Sequence, residues 1–367
     1  MINFCESEKN MVILHIASVN DDLCAGVSVA VPQHVISQQT KAEVGFVNLT
    51  NIKIAGIKNQ FEYNKSFSVK NLPHPFSNPD IVVFHEIYRP QFSQISYNLR
   101  KNNVPYIITA HGGFSKEAQN KKKLKKLLAN NTFFRSYIKK AIAFQCLSEL
   151  EIKNSLFNNF KFIGTNGVFI PKITKENFSE EEVKLTYIGR LEIHIKGIDL
   201  MLEAVASIAD FMRSEKAVLN LYGPETLNWV DEIKTMIAEK EIGDIVRVNS
   251  AITGEEKEKV LLGTDIFIQT SRTEGMPMSI LEAMSYGVPC VITKGTNVGE
   301  FVENNNSGWV AETNAISIAE TIKKAILEKN DWKNKSINAR NLIKSEFSWD
   351  KVSFETIRKY EEILQKL

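Results

Sequence analysis

The stretch "DIFIQTSRTEGMPMSILEAMSYGVPCVIT", Asp265 to Thr293, falls into four pieces. "DIFIQT" is a short apolar run, rich in Ile and Phe, that reads as a buried strand. "SRTEGMP" is a loop. "MSILEAMSY" reads as a helix from about Met278 to Tyr286. Pro277 lies near its first turn, where a missing N–H costs nothing. Gly287 falls at the position after its end, and Pro289 stops any continuation. "PCVIT" is a second buried strand. Strand, helix and strand in this order make the crossover unit of a parallel sheet.

The same alternation runs outward in both directions. Upstream, "MVILHIA", "AEVGFVNL", "DIVVFHE", "PYIITAHG" and "AIAFQCLS" read as buried strands. "GVSVAVPQHVISQQ" and "QFSQISYNLRKN" read as helices between them. Nearer the opening stretch, "VKLTYIG", "AVLNLYG", "IVRVN" and "GWVA" are further strands. "GIDLMLEAVASIADFM" and "NWVDEIKTMIAEK" are intervening helices, and three helical patterns close the chain. So many strands exceed one comfortable sheet, and 367 residues exceed one ordinary core. Two doubly wound α/β domains follow, with helices on both faces of each sheet. The boundary is expected in "GTNGVFIPKITKENFSEEEV", which passes through Pro171 into an acidic segment. This places a first domain at 1–167, a linker at 168–182 and a second domain at 183–348. Ligands of parallel sheets bind at the carboxyl ends of strands, so a cleft between two such domains is the expected active site.

Composition narrows the class. Apolar residues make up 43% and charged residues 24%, ordinary for a water-soluble globular protein. No apolar run approaches the ~18 residues of a membrane span. The start, "MINFCESEKNMVILHIA", lacks the basic and long apolar regions of a signal peptide. A cytoplasmic chain is expected, with Cys5, Cys24, Cys146 and Cys290 as reduced thiols without metal spacing. Residues 1–166 hold 20 Lys and Arg against 11 Asp and Glu, whereas 167–367 hold 25 against 32. Oppositely charged halves suggest domains with different partners.

The loop at 271–277 raises a chemical question. Free N–H groups at a helix start favour an anion such as a phosphate. Yet Glu274 precedes that start and Glu282 lies just inside the helix. Two carboxylates fit there if the ligand also offers hydroxyls, since an ionised carboxylate accepts from two hydroxyl donors. A sugar joined to a nucleoside diphosphate offers hydroxyls, a diphosphate and a ribose. The cations come from "YIGRLEIHIKGIDLMLEA", where Arg190 follows a strand and Lys196 precedes a helix. A guanidinium fork and an ammonium point charge suit a diphosphate, and Gly189 and Gly197 allow tight turns. Each feature alone is ordinary: two glutamates eight apart occur by chance, and a lone Arg or Lys after a strand is usually a surface charge. Their ordered combination carries the reading.

Together, "GRL…KGIDLMLEA" and "TEGMPMSILEAMSYGVPCVIT" resemble glycosyltransferase family 4, the retaining GT-B transferases. "GTNGVFIP", "PDIVVFHE" and "PYIITAHGGF" are similar to further segments of that family. The resemblance implies a first domain that binds the acceptor, a second that binds the nucleotide-sugar, and a last helix, about 349–367, packed back on the first. It implies that Arg190 and Lys196 grip the diphosphate, that Glu274 meets the donor sugar and that Glu282 accepts from the ribose. The backbone of Gly275, Met276, Pro277 and Met278 would line sugar and phosphate, and Ile252 would meet the base. Family members often carry Gly-Gly in the first strand-to-helix loop. Here it is Ala25-Gly26, and Gly26 keeps the close approach to phosphate.

His111 ends the strand "PYIITAHGG" and would hydrogen-bond the donor sugar, against the plainer reading of a histidine satisfied by backbone. His85 and Glu86 end "DIVVFHE" and would touch the acceptor, or else are polar groups at a loop edge. His194 reads as a solvent-facing loop residue. "SKEAQNKKKLKKLLANN" sets Lys121, Lys122, Lys123, Lys125 and Lys126 around Leu124, Leu127 and Leu128. That helical spacing fits either leucines in a core with lysines in water, or a surface drawn to anionic membrane or a lipid-diphosphate.

No Asp-x-Asp pair or metal-spaced cluster occurs, so neither metal nor cofactor is expected, and no nucleic-acid reader motif is present. The reading is a retaining, metal-independent glycosyltransferase. It would move sugar from a nucleotide-sugar, UDP in the first instance, to a saccharide or lipid-linked saccharide in cell-surface polysaccharide synthesis. A nucleotide-sugar epimerase or hydrolase on the same architecture is the alternative enzyme. A non-catalytic nucleotide-sugar-binding partner is the alternative of another class.

Overall fold

A computed structural model describes residues 11–20, 26–114, 116–120, 123–224 and 228–367. The chain forms two units: Met1–Asn166 together with Val352–Leu367, and Gly167–Lys351.

The first unit is built on seven strands, β1 (Val12–Ala17), β2 (Glu43–Asn48), β3 (Asn59–Glu62), β4 (Ile81–His85), β5 (Tyr106–Thr109), β6 (Ala143–Cys146) and β7 (Lys161–Ile163). They lie in the order β3-β2-β1-β4-β5-β6-β7, all parallel. Every residue of β1 and β4 is buried, as a parallel sheet covered on both faces demands. Successive side chains alternate between faces. Leu14 and Ile16 join Phe84, Phe92 and Tyr106 on one side. Ile13 and Ala17 join Val31, Val35 and Ile107 on the other, with Ile357, Tyr360 and Ile363 of the last helix, Trp349–Leu364.

The second unit holds six strands, β8 (Val183–Ile188), β9 (Ala217–Tyr222), β10 (Val246–Asn249), β11 (Ile266–Gln269), β12 (Cys290–Thr293) and β13 (Gly308–Ala311). Their order is β10-β9-β8-β11-β12-β13, again all parallel. The fold class expected from sequence is the one observed, two parallel-sheet α/β domains. The opening stretch is β11, a loop, the helix Met278–Ser285 and β12, with Gly287 at φ +84° just past the helix.

Three details differ from expectation. β3 and β7 were not anticipated, and the pattern 197–212 divides at Ile208 into helices Ile198–Ser207 and Ala209–Ser214. The segment 168–182 packs on the second unit. The Val168 amide donates to the Phe347 carbonyl at 2.8 Å, and the buried Lys175 ammonium meets Asp265 at 3.2 Å. Asp265 also accepts from the Ser179 and Lys184 amides, both at 2.9 Å, so its buried charge is fully engaged. Cys146 and Cys290 are free, buried thiols whose pKa burial pushes up to about 12. Cys5, Cys24 and Ala25 lie outside the described residues.

Candidate functional site

In each sheet the strand order reverses once, between β1 and β4 and between β8 and β11. A reversal sends the two following connections to opposite faces and leaves a crevice at the carboxyl edge. In the second unit that crevice receives the loops after β8 and β11. They are locked together through backbone: the Arg272 amide donates to the Ile195 carbonyl at 2.9 Å, and Thr270 Oγ1 donates to the Gly197 carbonyl at 2.8 Å. Gly197 has φ +65°, and a Cβ there would lie 2.1 Å from the Thr270 carbonyl oxygen. Only glycine lets the loops approach so closely. Arg272 adds two parallel bonds to Asp199, at 2.7 and 2.8 Å.

This framework brings Lys196 Nζ to 2.5 Å from Glu274 Oε1. The same oxygen accepts from Gln269 Nε2 at 2.8 Å and Ser271 Oγ at 2.9 Å. The Asn297 side-chain amide donates to the Glu274 carbonyl. Four donors thus fix one residue, the kind of support that preorganised sites need. The helix Met278–Ser285 begins four residues later with no side-chain cap, its first turn open to an acceptor. Gly275, Met276 and Met278 are half-buried around that start, and Pro277 is buried. Glu282 pairs with Lys257. Arg190 is exposed, 3.8 Å from Glu192, and does not join the Lys196–Glu274 pair. Ile252 is buried in the loop after β10, packed in the core that includes Ile280 and Met284. His194 is exposed, with its ring 6.1 Å from that of Trp229.

In the first unit Gly26 opens the helix Gly26–Gln38, and nothing lies within 4 Å of where its Cβ would be. His85 ends β4 fully buried. Glu86 follows at φ +82° and binds Arg89 at 2.7 Å. His111 follows β5 at φ +49°. Two non-glycine residues in the left-handed region at neighbouring strand ends mark a locally strained edge, as functional sites often do. Glu151 holds it: one carboxylate oxygen accepts from the Gly112 amide at 2.8 Å, the other from Leu147 at 2.7 Å. Burial raises the Glu151 pKa against these two bonds. Sequence reasoning passed over Glu151, Lys257 and Asn297. Each is an ordinary polar residue in a helix or turn, and only the fold gives it a partner.

The lysine-rich segment departs from its plainer reading. Helix Lys123–Asn131 has no buried residue. Leu124, Leu127 and Leu128 are 82%, 55% and 66% exposed, beside Lys123 and Lys125 in water and Lys126 half-buried near the Tyr88 ring. The leucines do not enter the core. Lys121 and Lys122 lie outside the described residues. No helix among the described residues is long and apolar enough to cross a membrane. Among the same residues no three His, Cys, Asp or Glu gather as metal ligands.

Residues 169–342 match the family model Glycosyl transferases group 1. The amylovoran biosynthesis glycosyltransferase AmsK of Erwinia amylovora is 30% identical over 143 residues, 37% of this chain and 34% of its own. The matches span about a third of the length of such curated relatives. The fold is shared by two solved structures: the sucrose-phosphate synthase of Thermosynechococcus elongatus and Anabaena HepE, the latter in complex with UDP and glucose. The first has TM-score 0.74 and 16% identity over 97% of this chain and 100% of its own. The second has 0.72 and 14% over 96% and 100%. The chain therefore has the fold of the GT-B glycosyltransferases, and its residues 169–342, which hold Arg190, Lys196, Glu274 and Glu282, are similar to a glycosyl transferases group 1 domain.

Proposed function

We propose that this protein is a retaining, metal-independent glycosyltransferase of family 4. It moves a sugar from a UDP-sugar to a saccharide or lipid-linked saccharide in bacterial cell-surface polysaccharide synthesis. The observation that carries the reading is the meeting of Lys196 and Glu274 where β8 and β11 diverge, ahead of an uncapped helix start. The amylovoran relative supports the polysaccharide setting, and the UDP and glucose bound by HepE support the donor class.

In this reading Lys196, Arg190 and the helix N-terminus take the charge of the leaving diphosphate, the task a metal performs elsewhere. Glu274 accepts from hydroxyls of the transferred sugar, and Glu282 from the ribose. Ile252 lies against the base, and Gly26 lets backbone approach the phosphate. His111 accepts from a sugar hydroxyl, while His85 and Glu86 serve the acceptor. The anomeric C–O bond to the diphosphate breaks as the acceptor oxygen bonds to the same face, and the acceptor proton passes to the departing phosphate oxygen.

The exposed leucines and lysines of Lys123–Asn131 would seat the protein on the anionic inner face of the cell membrane, where lipid-linked acceptors reside. A thermal-shift panel of UDP, GDP, ADP and their sugars tests the donor. Ligand at 100 Kd adds about 2.7 kcal/mol, several degrees in Tm for domains of this size. A melt that no nucleotide moves overturns the reading. Transfer to an acceptor, rather than release of free sugar, separates it from a hydrolase.

A further inference from the structure

Behind His111 the first unit buries a row of imidazoles. His111 Nε2 lies 3.0 Å from His85 Nδ1, His85 Nε2 lies 2.9 Å from His15 Nδ1, and His15 Nε2 lies 3.0 Å from Gln38 Oε1. The ring centroids are 5.3 and 5.2 Å apart with planes within 28° and 22°. At those N···N distances the rings meet edge to edge, nitrogen pointing at nitrogen. Burial holds all three neutral at pH 7, with His15 and His111 lowered to about 3 and His85 well below its usual value.

A neutral imidazole has one N–H and one lone pair. In such a row each ring's choice dictates the next, so the whole row points one way or the other. What sets the direction lies at the far end. The Gly164 carbonyl can only accept, and it takes a hydrogen bond from Gln145 Nε2 at 2.9 Å. That turns Gln145 Oε1 toward Tyr360, whose hydroxyl donates to it at 2.8 Å. Having spent its proton, the Tyr360 oxygen offers only lone pairs. Gln38 lies beside this oxygen, and its side chain lowers a pKa that burial raises. Gln38 turns its carbonyl oxygen to His15 Nε2, at 3.0 Å, and its buried NH2 makes no hydrogen bond.

We infer that Gln38, His15 and His85 are positioning residues that fix His111 as the Nε2–H tautomer, leaving its Nδ1 as a hydrogen-bond acceptor only. His15 donates to Gln38, His85 to His15 and His111 to His85. Among the described residues His111 Nδ1 has no partner within the chain, so it is free to take a bond from a ligand hydroxyl. It offers nothing to a carbonyl, a phosphate oxygen or any other acceptor. This rests, for the identity of the hydroxyl as a sugar's, on the reading under Proposed function; the tautomers themselves do not.

The test is long-range 1H–15N correlation on the full-length chain labelled with [15N]histidine at pH 7, without ligand. The six histidines make a short spectrum. Three neutral Nε2–H rings are expected at His15, His85 and His111. A charged ring or an Nδ1–H ring at any of the three overturns the inference. Tyr360→Phe keeps the ring and removes the lone pairs that Gln38 lies beside. It should split His111 into two tautomer populations while leaving His34, which bonds Asn166 at 3.1 Å, unchanged. An unaltered His111 spectrum in that variant removes Tyr360 and Gln38 from the device.

In a transfer assay with UDP-glucose, Tyr360→Phe should lower kcat several-fold at unchanged donor KM. A tautomer split with wild-type kcat would show that Nδ1 is not used on the sugar. If the wild type transfers nothing, the enzyme reading fails while the spectrum still decides the relay.

Discussion

Lys196 and Glu274 satisfy one another across 2.5 Å, and a ligand must enter that pairing. Under the proposed function, removing the ammonium leaves a half-buried carboxylate beside the donor's diphosphate. Lys196→Ala should therefore lose most donor use, and wild-type kinetics would end the diphosphate assignment. Glu274→Gln keeps shape and removes charge where the sugar reacts. It should cost roughly 10²–10³ in kcat, the scale for one preorganised electrostatic group. Glu282→Gln, acting on a ribose that does not change during reaction, should raise KM more than it lowers kcat. The Glu282–Lys257 pair is substantially exposed, at 34% and 23%, so Tm should hardly move. If the two glutamates exchange these kinetic signatures, their roles are exchanged. The sequence pointed to these side chains because motif spacing is local. It hid His15 and Gln38, which sit in an apolar strand and at a helix end and acquire a task only when β1, β4 and the last helix meet.

At the scale of elements, apolar periodicity found eleven strands because each is an apolar run rich in Val, Ile, Leu or Phe and bounded by polar turns. It missed β3, "NQFE", and β7, "KFI". Both are edge strands, short and half solvated, formed by pairing with a neighbour rather than by their own hydrophobicity. The junction at Gly197 has the opposite character, since one atom decides it. Gly197→Ala places a methyl 2.1 Å from a carbonyl oxygen at φ +65°. It should destabilise the second unit by at least ~1–3 kcal/mol, read as a lower urea midpoint, and weaken nucleotide-induced stabilisation. An unchanged midpoint would mean that the loops move apart freely. Helix Lys123–Asn131 invites a milder change. Leu124→Ser with Leu128→Ser should leave stability within ~0.5 kcal/mol per site, because neither leucine is buried. It should reduce sedimentation with vesicles containing anionic lipid. Equal binding by the variant would remove this helix as the membrane contact.

At the scale of the whole molecule, four interior histidines couple stability to acid. His15, His85 and His111 stay neutral when folded, as does His34, whose pKa burial lowers to about 4. Unfolded, all titrate near 6.5. Below that pH the unfolded chain binds protons that the folded chain refuses, so stability is complete above about 6.5 and falls as pH drops toward 4. Each ring contributes about 1.4 kcal/mol per pH unit in that window. A marked loss of urea resistance between pH 7 and pH 5 is expected, and a flat profile would mean that the rings charge in place. One further consequence follows from Ile357, Tyr360 and Ile363, which lie in the core of the first unit although the second unit intervenes in sequence. On the ribosome, the amino-terminal sheet emerges long before the helix that covers it. Throughout synthesis of the following 185 residues, Gly167–Lys351, its face carrying Ile13, Val44 and Ile107 is only partly covered, by Val31 and Val35. Nascent chains of this protein should therefore depend on a chaperone until the last helix emerges, and messages truncated before codon 352 should yield aggregate rather than a folded first unit.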